Sequence, residues 1–138
     1  MHVHGACHCG EISLEADLDP SRAVICHCTD CQAFSGAPYR ATIPVDAASL
    51  QITGAPCIYV KTAQSGRRRA QAFCGVCGSS IYSAEAENPT RYNIRLGLLR
   101  ERHDITPRAQ IWCESALAWA QDVSTLPKAE QDAFVEPR

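Results

Sequence analysis

At 138 residues the chain has room for one domain at the usual allowance of about 150 residues each, and its 46% hydrophobic and 20% charged composition excludes a disordered polyampholyte. Thirteen basic against fifteen acidic residues give a net charge of −2, which argues against nucleic acid as a partner, since such binders carry a basic footprint. The first twenty residues hold no apolar signal core and no stretch approaches the roughly 18 uncharged residues of a membrane helix, so the expectation is a cytoplasmic protein without a membrane partner.

Residues 11–18 alternate, with Ile12, Leu14, Ala16 and Leu18 against Glu11, Ser13, Glu15 and Asp17. This is the period-2 pattern of a half-buried strand, and it ends at Asp19-Pro20. His2 and His4 ahead of it read as a loose terminus. A short apolar run over 22–25 leads to Thr29-Asp30, which predicts the cap of a helical turn through Phe34, broken by Ser35-Gly36 and Pro38. Residues 39–45 alternate again, and Pro44 places that strand at a sheet edge or a strand end. A turn over 46–49 follows. Further strands are predicted over 50–53, 57–62, 67–73, 79–83, 90–96 and 108–113, separated by Gly54, Pro56, Ser65-Gly66, Asn88-Pro89 and Pro107. The one helix longer than a turn is expected over 114–121. The reading is a mainly β fold with short helical turns, one domain over 1–123, and a frayed tail over 124–138.

Nine cysteines in 138 residues is the anomaly. Seven fall in clusters: Cys7 and Cys9, then Cys26, Cys28 and Cys31, then Cys74 and Cys77. An odd total without a secretory signal argues for metal rather than disulfides. Cys7-His8-Cys9-Gly10 and Cys74-Gly75-Val76-Cys77-Gly78 read as two knuckles, each ending in the glycine a tight turn requires; joined, they form a closed four-thiolate zinc site of structural type. Cys26, Cys28 and Cys31 supply three thiolates with no evident fourth, the arrangement of a catalytic zinc with an open position. Cys57, Cys113 or a histidine closing that site, and a different pairing of the clusters, stay open from sequence alone. Two Zn2+ ions are expected.

Gly5-x-Cys7-x-Cys9-Gly10, Cys26-His27-Cys28-Thr29-x-Cys31-Gln32 with Ser35-Gly36-Ala37-Pro38, and Phe73-Cys74-x-x-Cys77-Gly78-Ser79, in that order, closely resemble the glutathione-dependent formaldehyde-activating enzyme family. The resemblance extends through Pro107, Ile111-Trp112 and Trp119. It implies a β fold, one structural zinc on Cys7, Cys9, Cys74 and Cys77, and a second zinc on Cys26, Cys28 and Cys31. It also implies a carbon–sulfur lyase activity that joins a small thiol such as glutathione to a small aldehyde such as formaldehyde. The family often has Gly-x-Leu-Asp after the late strand, whereas here Gly97-Leu98-Leu99 is followed by Arg100, which leaves the thiol open. The competing reading is a non-catalytic zinc module for protein interaction or metal handling.

His27, inside the open cluster, is a candidate acid or base for the carbonyl oxygen. Arg67 and Arg69 face one way on their strand and Arg68 the other, a solvated face with at most two guanidiniums available to one pocket. Phe34, Tyr39, Trp112 and Trp119 read as core or pocket wall, and Cys57 and Cys113 as buried small apolar residues.

Overall fold

A computed structural model describes residues 1–131; the last part of the expected tail, 132–138, lies outside the described residues. The elements in chain order are β1 (His2–Ala6), β2 (Ser13–Asp17), β3 (Val24–Cys26), α1 (Thr29–Ser35), β4 (Arg40–Asp46), β5 (Gln51–Thr53), β6 (Cys57–Thr62), β7 (Arg68–Phe73), β8 (Ser80–Glu85), β9 (Arg91–Arg95) and β10 (Ala109–Ile111). Short 3₁₀ turns join them. The fold is mainly β, as the alternation implied. No helix among the described residues is long and apolar enough to cross a membrane.

The strands form two sheets: β1-β2-β5, and a seven-stranded sheet in the order β10-β3-β4-β9-β8-β7-β6. Only the β10–β3 pair is parallel among the described pairings. Val3, Leu14 and Ala16 of the small sheet join Ile43, Val45, Ala72 and Ile94 of the large one in a single buried cluster. Ile43 and Ile94 stand opposite each other in the β4–β9 register, both fully buried. Burying side chains of this size contributes about 1.5–3 kcal/mol each, so this face holds the sheets together.

The other face of the large sheet is polar, and register explains why its side chains share one surface. Residues directly opposite on paired strands point the same way. Cys26 pairs with Arg40, Thr42 with Arg95, Asn93 with Ser83, and Ser83 with Gln71. A band of polar groups therefore crosses five strands and ends at a cysteine.

Four expectations are corrected. His2 and His4 are not a loose terminus: β1 pairs with β2 from His2↔Asp17 to Ala6↔Ser13, Val3 is fully buried, and the terminal ammonium donates to the Leu18 carbonyl at 2.9 Å. One large apolar residue in five gave the sequence little signal. Pro44 lies inside a central strand, yet β3 pairs β4 only as far as Thr42, so at Pro44 the strand has a neighbour on one side alone and a missing donor breaks no bond to β3. The helix expected over 114–121 is two 3₁₀ turns, Cys113–Ser115 and Ala118–Gln121, neither with a buried residue; so short a segment with no face to bury does not sustain an α-helix. Cys57 and Cys113 are exposed rather than buried.

Candidate metal centres

The turn after β1 and the β7–β8 turn bring Cys7, Cys9, Cys74 and Cys77 together, with all four sulfurs within 4.8 Å of one another. Gly10 and Gly78 hold φ of +84° and +78°, which closes each knuckle as the Gly10 amide donates to the Cys7 carbonyl and that of Gly78 to the Cys74 carbonyl. The backbone then aims donors at the sulfurs: Ile12 N–H to Cys7 Sγ at 3.3 Å and Val76 N–H to Cys74 Sγ at 3.4 Å. The His8 amide donates to Ser79 Oγ and ties one knuckle to the other. Cys7 and Cys9 sulfurs are 3.6 Å apart, Cys9 and Cys74 3.7 Å. A zinc with bonds of about 2.3 Å sets tetrahedral sulfur edges of about 3.8 Å, so the donor set fits that ion. The crowding also shows in the proton affinities. Hydrogen bonds from Ser79 bring Cys77 down to about 5. Cys9, despite the Glu11 amide that favours its thiolate, is pushed up to about 12 by burial and neighbouring sulfurs. Four sulfurs this close can all be thiolates only with a cation between them.

Cys26, Cys28 and Cys31 lie on the end of β3 and the start of α1, their sulfurs again within 4.8 Å. The cap of α1 is Cys28 rather than the expected Thr29-Asp30: its sulfur accepts the Cys31 N–H at 3.2 Å, and Gly36 in the left-handed region ends the helix. Burial pushes the Cys26 thiol up to about 12. Three sulfurs from one short segment are a donor set that fits a divalent ion and leaves a tetrahedral position to another ligand.

What lies over these sulfurs was invisible in the sequence. They open into a cavity of about 220 Å³ whose walls include Arg40, Lys61, Arg69, Gln71, Arg95 and Trp112. Arg40 and Arg95 are 8% and 7% exposed, and among the described residues neither has a carboxylate partner. Arg95 donates to Ser80 Oγ, Thr42 Oγ1 and Gln71 Oε1 at 3.3–3.4 Å. Arg40 reaches the same Gln71 oxygen at 3.3 Å, and its Nε has no partner. Burial, with Arg40 beside it, lowers the Arg95 guanidinium to about 9. Two buried cations with neutral partners call for negative charge nearby, and of the three thiols facing them Cys31, although desolvated by burial, is held below its ordinary value by the Cys28 sulfur and by Arg40.

Arg69 and Lys61 extend the positive surface into an adjoining cleft of about 1210 Å³. Arg69 pairs with Glu85 at 3.2 Å, Lys61 with Asp30. Arg67 shares Glu85 and Arg68 takes Glu87, so the two directions expected of the arginine run are seen. Trp112 stands at the rim of both cavities, 60% exposed, with a left-handed backbone at φ 56°. Phe34 and Tyr39 line a separate groove, and Trp119 is exposed.

His27 is 2% exposed and is not gathered with the three sulfurs. Its Nε2 lies 2.8 Å from Gln110 Oε1 and its ring packs edge-on against Tyr39. The Gln32 amide donates to the His27 and Ser115 carbonyls, both at 2.9 Å, and His27 N–H to the Ile111 carbonyl. These bonds fix the cysteine segment against β10. Gln32 gave no chemical signal in the sequence beyond its place in the motif, and Arg40 and Arg95 only their charge within a strand, which does not say what they face.

A family model described as glutathione-dependent formaldehyde-activating enzyme matches residues 2–115. The chain is also similar to an uncharacterised lyase of Schizosaccharomyces pombe, 26% identical over 107 residues, which is 78% of this chain and 75% of the yeast protein. Its fold is similar to a crystal structure of a Rhodobacter sphaeroides protein, with a TM-score of 0.60 and 20% identity over 78% of this chain and 98% of the other.

Proposed function

The chain belongs to the glutathione-dependent formaldehyde-activating enzyme family, and from that premise we propose that it is a zinc-dependent carbon–sulfur lyase-type enzyme acting on the adduct of a small thiol, glutathione first, with formaldehyde or a similar aldehyde. The observation that carries the reading is the pair of buried guanidiniums, Arg40 and Arg95, facing Cys26, Cys28 and Cys31 across one cavity with no carboxylate partner among the described residues. Cys7, Cys9, Cys74 and Cys77 hold a structural zinc in this reading; Cys26, Cys28 and Cys31 hold the second. A zinc held by those three supplies Lewis acidity and lowers the pKa of a thiol arriving beside it. Three thiolates and a divalent ion sum to −1, and one further thiolate makes −2, which Arg40 and Arg95 balance.

The side chains around the cavity do the rest by position. Arg69 and Lys61 lie where the larger cleft begins and offer charged donors to the carboxylates of a peptide-like thiol. Trp112 walls the shared rim. The sulfur lone pair adds to the carbonyl carbon, the carbonyl electron pair moves to oxygen, and that oxygen takes up the proton the thiol gave; the lyase direction reverses each transfer. No redox partner is needed. The intrinsic barrier to such an addition is low, so holding both reactants together is the main requirement.

Zinc-loaded protein mixed with glutathione and carbon-13 formaldehyde tests this by exchange spectroscopy. The expected result is adduct exchange faster than the spontaneous rate, lost in Cys28→Ser while the fold persists. Exchange at the spontaneous rate, with glutathione failing to bind, returns the protein to a non-catalytic zinc module.

A further inference from the structure

The outward face of the β1–β2 pair carries a second kind of donor set. His2 and His4, two residues apart on a strand, present both imidazoles to one side, where they stand opposite Asp17 and Glu15 in the register. His2 Nδ1 lies 2.9 Å from Asp17 Oδ1, and His4 Nδ1 lies 3.1 Å from Glu101 Oε1. An ionised carboxylate only accepts, so each Nδ1 carries the hydrogen and donates it. A neutral ring then keeps its lone pair on Nε2. Both Nε2 atoms face the same oxygen, Glu15 Oε2, at 3.6 and 3.9 Å, beyond hydrogen-bond length. With both rings neutral, three acceptor atoms converge with no donor among them, an arrangement that a cation satisfies; Asp17 and Glu15 raise the proton affinity of His2, so there a metal ion competes with a proton.

The pattern has two layers. Two imidazoles and a carboxylate are the inner donors suited to a divalent transition ion, and a carboxylate on the far nitrogen of each ring is the outer support that fixes tautomer and orientation. Here the support comes from two different elements, β2 and the 3₁₀ turn Arg100–Asp104. Glu101 additionally accepts the His4 backbone N–H at 3.0 Å, so ring and backbone are fixed together. The three donor atoms lie within 4.8 Å of one another. Bonds of about 2.0–2.2 Å would place neighbouring tetrahedral donors about 3.3–3.6 Å apart, and the three side chains, each about half exposed, reach that by small torsional shifts. Beside them a cavity of about 310 Å³, lined by His4, Glu15, Gln51, Thr53 and Arg100, offers space and oxygen donors for the positions that three ligands leave open.

We propose that His2, His4 and Glu15 form a third metal site, mononuclear and separate from the thiolate clusters, for a late first-row divalent ion such as Zn2+ or Co2+. The ion ties β1 to β2. Arg100 places a positive charge at the open side, which suits an anionic co-ligand. The site does not depend on the lyase reading, and its failure would leave that reading untouched.

Titration with Co2+ of the full-length protein carrying two equivalents of Zn2+ and no more tests it. One further equivalent is expected, with visible d–d absorption and no near-ultraviolet thiolate charge-transfer band. His4→Gln and Glu15→Gln each abolish that equivalent, and Asp17→Asn weakens it by roughly 10–100-fold. All three substitutions lie on the exposed face and leave the β1–β2 backbone ladder in place. Absence of a further equivalent, a thiolate charge-transfer band on the one that binds, or undiminished binding in both His4→Gln and Glu15→Gln would each overturn the assignment.

Discussion

In the four-cysteine cluster the sulfurs come from two turns, Cys9 and Cys74 being 65 residues apart in sequence, and are met by backbone amides. In the three-cysteine cluster all the sulfurs come from one six-residue segment, one of them accepts a backbone amide, and they face two guanidiniums across a cavity. The same side chain thus serves two purposes according to what closes around it. Amides belong to the fold and cannot leave, which fits the closed site proposed for the first cluster; arginine side chains with no carboxylate partner among the described residues leave charge to be matched, which fits the ligand-taking site proposed for the second. The contrast predicts different consequences for loss of a single sulfur.

The largest expected effect follows from the sequence span. Cys74→Ser or Cys77→Ser removes a ligand joining the β1 turn to the β7–β8 turn, and since metal binding in small zinc modules is folding free energy on the order of 10 kcal/mol, soluble folded protein should be lost. Cys28→Ser should leave a cooperative thermal transition and remove thiol binding. Equal destabilisation in the two variants, read by circular dichroism melts, would erase the distinction between the clusters.

Chelation should separate the sites next. Three donors hold an ion less firmly than four, so stepwise addition of a chelator is expected to release one zinc while far-ultraviolet dichroism is unchanged, and the second only with unfolding. Simultaneous loss with unfolding would contradict it.

A smaller effect isolates the guanidiniums. Arg95→Met keeps the volume and removes the charge. Charged hydrogen bonds are worth about 1.5–3 kcal/mol, so glutathione affinity measured by calorimetry should fall roughly 10–150-fold. Stability should hold or rise, because a buried cation is replaced by an apolar side chain. Unchanged affinity would remove Arg95 from the charge balance.

These two surroundings were unequally legible. Knuckle spacing with a following glycine is local, so the pairs Cys7/Cys9 and Cys74/Cys77 could be read directly, as could the alternation that became β2, β4 and β7. The arginines could not. Whether Arg40 and Arg95 face solvent or a buried cavity depends on the β3–β4 and β4–β9 registers, which no local pattern encodes. His2 and His4 were misread for the same reason: β1 exists because β2 and Leu99 lie against it, contacts distant in sequence. The helix expected over 114–121 failed oppositely, since local propensity there met no surface on which to pack.

The smallest effect concerns the strand that delivers the first knuckle. Glu101 accepts the His4 backbone N–H and faces the His4 ring, and these bonds hold its carboxyl below the usual range. A carboxyl whose folded value is depressed contributes stability that is fully present above its unfolded value, about 4.3, and is lost as pH falls through the folded value. Glu101→Gln should therefore lower stability modestly at neutral pH, within about 1 kcal/mol because the group is partly solvated, and the gap from the parent should close on acidification below about pH 4. Protonation of the zinc thiolates acts on both proteins alike, so the difference between the two melting curves reports Glu101 together with the His4 ring it faces. A gap that is constant from neutral pH to the acid limb would mean that β1 is held by the β2 ladder without help from this carboxylate, and that the four-sulfur site needs no support beyond its own amides.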